Sequence, residues 1–194
     1  MVVAHTREKI LNAAEALFFA DGIAVTGVDR VADAAGVSVV TLYKHMGSKD
    51  GLLAEVLQRR LADWDRVWQG CVDATDDERA KVLAIFDAIE EFRQQAGPTQ
   101  WCTFLATASE RPPVEDSPGS LVRADTQLLL RRLQPLAQAV DPLAAAQIVD
   151  TTVLLYNGVL ASLLRGQPPH AAAAARRTAC VAFGWTDLLA HEQY

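Results

Sequence analysis

Apolar residues recur at three- and four-residue spacing along nearly all of the 194 residues, the period of helices that bury one face. In residues 6–21, Ile10, Leu11, Ala14, Leu17 and Phe18 share a face. Thr6 offers an N-cap there, and Gly22 followed by Ile23 offers a stop. A second helix opens at Thr26, with Asp29 three residues on, and turns Val28, Val31, Ala32 and Ala35 inward up to Gly36. Ser38 caps a third over roughly 39–45, with Leu42 and Met46 as its buried side. Gly47 closes it and Ser48 caps a fourth, whose stripe is Leu53, Leu57, Leu61, Trp64 and Trp68.

The pattern continues with helices over 76–96, 100–110, 120–140 (bent at Pro135), from the cap Asp141 to 165, and 170–190. Between the sixth and seventh, RPPVEDSPG at 111–119 reads as loop. These elements predict an all-α fold of about nine helices. Residues 1–48 form a three-helix helix-turn-helix unit and 49–194 a larger helical domain. A composition of 51% hydrophobic and 22% charged residues supplies a core for both.

The third helix has the makings of a reading head. With Leu42 and Met46 turned inward, Val39, Val40, Thr41, Lys44 and His45 are left outside, with Tyr43 on the border. Hydroxyls and cations suit phosphates, and valine methyls suit thymine methyls. Lys49, in the first turn of the fourth helix, opposes the helix dipole unless an anion sits there. Thr26 and Ser38 stand at two other helix starts, where each is equally an ordinary cap. Net charge changes the picture: it is −6 overall, and residues 1–53 carry five basic against six acidic side chains. Any nucleic-acid surface must therefore depend on where its few cations sit.

Three segments within 6–53 carry a specific likeness: T-x-x-K-I-L-x-A-A-x-x-L-F; G-x-x-x-T-x-V-x-x-V-A-x-A-A-G-V-S; and T-L-Y-K-H-M-x-S-K-x-x-L-L. This quarter of the chain resembles the N-terminal domain of the TetR family of transcriptional regulators. The resemblance implies a homodimer on a palindromic double-stranded DNA operator, with a small-molecule effector that releases the DNA. It places Thr26, Ser38, Thr41, Tyr43, Lys44, His45 and Lys49 at DNA-facing positions. Met46 stands where the family most often has Phe, and Val40 where a small or polar residue is common.

From residue 54 onward the resemblance is weak. Small and apolar faces on the last two long helices suit a four-helix dimer interface or intrachain core. They comprise Ala144, Ile148, Thr151, Thr152, Leu155, Val159 and Leu163, then Ala174, Ala175, Thr178, Val181, Trp185 and Leu188. Trp64, Trp68, Phe86, Trp101, Cys102, Phe104 and Tyr156 are candidates to line an effector cavity, with Thr107, Gln147 and Asn157 to orient the ligand. No acidic pair stands out to draw in a cation, so a neutral or weakly polar, moderately hydrophobic effector is expected. An aromatic stripe at helical spacing is equally plain core.

Other classes find little support. His5, His45, His170 and His191 are scattered, with no nucleophile–base spacing, metal-ligand cluster or glycine-rich phosphate loop, so neither an enzyme nor a cofactor is expected. A small-molecule-binding helical protein without a DNA role is the alternative. Cys71, Cys102 and Cys180 read as free thiols of a cytoplasmic protein, or as a redox sensor. No segment reads as apolar over the roughly 18 residues of a membrane span, and Glu8, Lys9 and Glu15 interrupt any signal peptide.

Overall fold

The computed structural model describes residues 2–96, 103–111, 116–166 and 168–192. Among these there are helices and no strand. In chain order they are α1 (Val2–Asp21), α2 (Val28–Ala35), α3 (Val39–Met46), α4 (Lys49–Asp73), α5 (Glu78–Ala96), α6 (Thr103–Glu110), α7 (Ser117–Val140), α8 (Ala145–Arg165) and α9 (Ala171–Phe183). A 3₁₀ turn, Thr186–Glu192, follows. Two compact units divide the chain: residues 1–62 with 98–125, and residues 63–97 with 126–194.

In the first unit, Ile10, Ala14, Phe18, Val31, Leu42, Leu53 and Leu57 form one buried core. Phe104 and Ala106 of α6 join that core. The helix ends follow local chemistry. Gly36 takes φ 67°, and the Val37 and Gly36 amides return to the Ala32 and Asp33 carbonyls, closing a Schellman end. Ser38 accepts from the Thr41 amide (3.1 Å) and Ser48 from the Gly51 amide (2.9 Å). A charge cluster pins α1 to α4. Glu15, only 8% exposed, pairs with Arg59 and with Arg60, itself 6% exposed.

The second unit has an aromatic centre. Trp64 lies 5.8 Å from Trp68, 5.5 Å from Phe92 and 6.0 Å from Tyr156, between ring centroids. The Arg132 guanidinium sits 5.6 Å from the Trp68 ring centroid and bonds Asp65 and Gln69. Arg79 holds Asp187 with two hydrogen bonds (3.0 and 2.8 Å).

Several boundaries differ from the sequence reading. Helix α1 starts at Val2, so Thr6 lies inside it; nothing in residues 2–5 is a helix breaker. The stretch Ser117-Pro118-Gly119 is the first turn of α7, not loop. Asp116 caps it, accepting from the Gly119 amide at 2.7 Å. Proline is tolerated in a first turn because its missing N–H would be unpaired there anyway. Helix α9 stops at Phe183 rather than near 190. Gly184 takes φ 73°, and the Trp185 and Gly184 amides return to the Cys180 and Val181 carbonyls.

The outer face of α8 and α9 also differs. Ile148, Thr152 and Val159 are buried in the second unit, as are Ala175 and Trp185. Of the residues named on those faces Thr178 and Val181 are exposed, the latter by 65%, and on α8 the exposed stripe runs instead through Leu154, 72% exposed, with Gly158 and Ala161. With leucines on both faces, α8 is long and apolar enough to cross a membrane by length and composition, which the sequence reading did not anticipate. Its inner face packs against α9 and α5.

Candidate nucleic-acid interface

Helix α3 is anchored by two side chains, Leu42 (0% exposed) and Met46 (6%). Everything between them points elsewhere. Val40 is 78% exposed, Tyr43 44% and Val39 36%, while Lys44 is exposed and Thr41 and His45 are half-buried. An exposed valine in a short helix gains nothing from folding, so Val40 is available for apolar contact with a partner. Ser38 and Thr41 share a hydroxyl–hydroxyl hydrogen bond of 2.8 Å at the start of this helix.

Thr26 does not offer its hydroxyl here. Its side chain is fully buried, and Gly27 occupies the N-cap position of α2. The Thr26 hydroxyl donates to the Gly22 carbonyl at 2.7 Å, with the Leu17 carbonyl at 3.3 Å. It therefore closes the carboxyl end of α1, where helix carbonyls lack partners.

Lys49 has a protein partner at the unfavourable end of its helix: its ammonium donates to the Ala24 carbonyl at 3.2 Å. Two of its three N–H groups remain for other acceptors. The same Ala24 peptide is held from its other side, where its amide donates to Glu110 Oε2 at 2.9 Å. Arg111, next in sequence, grips Asp50 in the first turn of α4 (2.6 and 3.3 Å) and Asp116 (2.7 Å). The end of α6 thus clamps both the α1–α2 loop and the start of α4. Sequence reasoning missed Glu110 and Arg111. They act across 86 and 61 residues, and only a charged pair at a helix end marks them.

Charge placement is selective. Arg30 pairs with Asp21 at 2.8 Å and Arg7 pairs with Glu55. Among the described residues, Lys44 and Lys49 make no ion pair. Lys9 on α1 and Arg123 on α7 are likewise without an ion pair among the described residues, so the unneutralised cations of the first unit include, but are not confined to, those on α3 and at the start of α4.

The effector candidates do not form one group. Trp64, Trp68 and Tyr156 make the aromatic centre of the second unit, where the Trp68 indole N–H and the Thr152 hydroxyl are buried without a hydrogen-bond partner. Phe86 lines an open cleft of about 660 Å³ between α5 and α9, with Glu90, Glu91, Gln94 and Arg176 among its walls. Phe104 and Thr107 are buried in the first unit. Gln147 and Asn157 are exposed on the outer side of α8, because its inward positions are Ile148, Val149, Thr152 and Tyr156. Trp101 and Cys102 lie outside the described residues.

Burial pushes the Cys71 thiol up to about 12, helped by its 3.4 Å hydrogen bond to Glu91 and the charges of Glu91 and Asp87. A thiol held protonated is a poor nucleophile, which argues against redox sensing at this position.

Residues 10–56 match the family model for bacterial regulatory proteins of the tetR family. The chain is 40% identical over 92 residues to the HTH-type transcriptional activator FasR of Mycolicibacterium smegmatis. That match covers 45% of this chain and 42% of FasR, so the chain spans under half the length of that relative. It is 26% identical over 175 residues to the HTH-type transcriptional regulator BetI of Paraburkholderia xenovorans, covering 88% of each. In fold it is similar to a TetR-family transcriptional regulator from Streptomyces coelicolor, with a TM-score of 0.82 at 22% identity over 91% of this chain and 93% of the other. Residues 10–56 thus match the N-terminal domain of the tetR family of bacterial regulatory proteins, and the fold of the chain is similar to that of a TetR-family regulator.

Proposed function

We propose that the protein is a ligand-responsive transcriptional repressor that binds a palindromic operator as a homodimer and is released by a small, moderately hydrophobic effector. The observation that carries this reading is α3: a short helix pinned by Leu42 and Met46 that presents Val40 and Tyr43 to solvent beside an unpaired Lys44. Val39, Val40, Tyr43 and Lys44 lie along the major groove, while Ser38, Thr41, His45 and Lys49 contact the backbone. Thr26 acts there only through its position, since its hydroxyl is spent on α1.

Dimerisation uses the exposed stripe of α8 and α9, centred on Leu154, Gly158, Ala161 and Val181. Small residues let two copies of such a hairpin approach closely around a two-fold axis, the usual isologous closure. The two copies of α3 must then sit one DNA turn apart or a multiple. An effector lowers DNA affinity only by its differential affinity for the two arrangements, so tenfold weaker binding requires about 1.4 kcal/mol of coupling.

The test is a gel shift with duplex from the region upstream of the protein's own gene, at several stated salt concentrations. A discrete complex that competitor DNA does not dissolve supports the reading. No specific complex at low salt favours the second reading, a ligand-binding helical protein without a DNA role, to which the −1 charge of residues 1–53 lends weight.

A further inference from the structure

We propose that the cavity between the end of α6 and the start of α7 is a binding site for a small monocarboxylate with an apolar body, such as an aromatic or short aliphatic acid. The cavity measures about 290 Å³, and its walls include Thr107, Ala108, Arg111, Asp116, Val122 and Arg123. That volume is at the small end for ligand sites and excludes a sterol or a long acyl chain.

The chemistry of the walls selects the ligand. Ala108 and Val122 give an apolar surface. The Thr107 hydroxyl donates to the Thr103 carbonyl at 2.8 Å. Asp116 is spent on the Gly119 amide (2.7 Å) and on Arg111 (2.7 Å). Arg111 is satisfied by Asp116 and by Asp50. Arg123 is different: among the described residues it makes no ion pair or hydrogen bond, yet it forms part of the cavity wall. One guanidinium without a carboxylate, beside an apolar recess, matches an acid whose charge sits at one end. Inorganic anions would leave the apolar wall uncovered, and a neutral ligand would leave the solvent-exposed Arg123 to water, without a charge-assisted hydrogen bond.

The site adjoins Arg111, the side chain that holds Asp50 in the first turn of α4. It gives the effector reading above a chemical class and rests on that reading for its consequence, though not for the binding itself.

The experiment uses the full chain without DNA, so its outcome is separate from that of the operator measurement. Sodium benzoate and benzamide are titrated by calorimetry and by thermal melting at matched ionic strength, against the wild type and Arg123→Gln. Expected are saturable benzoate binding at one site per chain, binding of benzamide at least tenfold weaker, and a similar loss of benzoate affinity in Arg123→Gln at an unchanged melting midpoint. Equal affinity for benzamide, benzoate binding unaltered by Arg123→Gln, or no saturable benzoate binding in the wild type each overturns the proposal.

Discussion

Replacing Glu15 by alanine tests how the reading head is held on the molecule. Glu15 is 8% exposed and its carboxylate receives Arg59 and Arg60 from α4, the Arg60 contact at 3.1 Å. Arg60 is 6% exposed, so without Glu15 its charge stays in the interior beside the hydrophobic core. Removing one partner of a buried ion pair costs about 3–5 kcal/mol, because the other charge is left poorly compensated. That is a large part of a typical total of about 5–15 kcal/mol. Arg59 is 28% exposed and its removal leaves the Glu15 carboxylate paired with Arg60, so Arg59→Ala should cost only about 1 kcal/mol. Urea unfolding followed by circular dichroism at 222 nm measures both. A double-mutant cycle of Glu15→Ala with Arg60→Ala isolates the pair. A Glu15→Ala cost below about 1 kcal/mol, or a coupling energy below about 0.5 kcal/mol, would refute the claim that this cluster fixes α1 to α4.

Other expectations follow from single positions. Asp125 is held up to about 7, against an ordinary value of 3.8, by burial alone. A raised carboxyl contributes stability that is fully present below about pH 4 and is lost as pH rises through 7. Asp125→Asn should match the wild type at pH 4 and exceed it above pH 7 by up to about 4 kcal/mol in urea titrations; a gap independent of pH would contradict this. Leu42→Ala should destabilise the first unit by about 2–5 kcal/mol, since its side chain is fully buried, and a change under 1 kcal/mol would mean the anchor is elsewhere. Leu154→Glu with Val181→Glu should give a folded monomer by sedimentation at micromolar concentration, whereas an intact dimer would move the interface off this stripe.

The parts of this fold that were legible in the sequence are those fixed by neighbours in the chain. Ser38, Ser48, Gly36 and Gly47 mark helix ends because a hydroxyl or a left-handed glycine settles each end within four residues. The inward pair Leu42 and Met46 followed from helical spacing alone. Thr26 misled for the opposite reason. A threonine between two helices can serve either one, and only the position of the Gly22 and Leu17 carbonyls decides. Ser117-Pro118-Gly119 looked like loop because composition was weighed above the first-turn tolerance that Asp116 exploits. On α8 the apolar residues surround the helix, so spacing could not tell the face turned into its own unit from the one turned to solvent. The Glu110 and Arg111 clamp depends on tertiary placement, which the charged pair at the end of α6 does not by itself reveal.

In the proposed function α3 reads DNA although residues 1–53 carry a net charge of −1. Fluorescence anisotropy with a duplex from the upstream region tests it most directly, comparing the wild type with Val40→Asp, Tyr43→Ala and Lys49→Ala over a range of salt. Every variant is expected to melt like the wild type and to bind at least tenfold more weakly, and Lys49→Ala to lower the salt slope by about one. Affinity and salt slope unchanged in all three would contradict it.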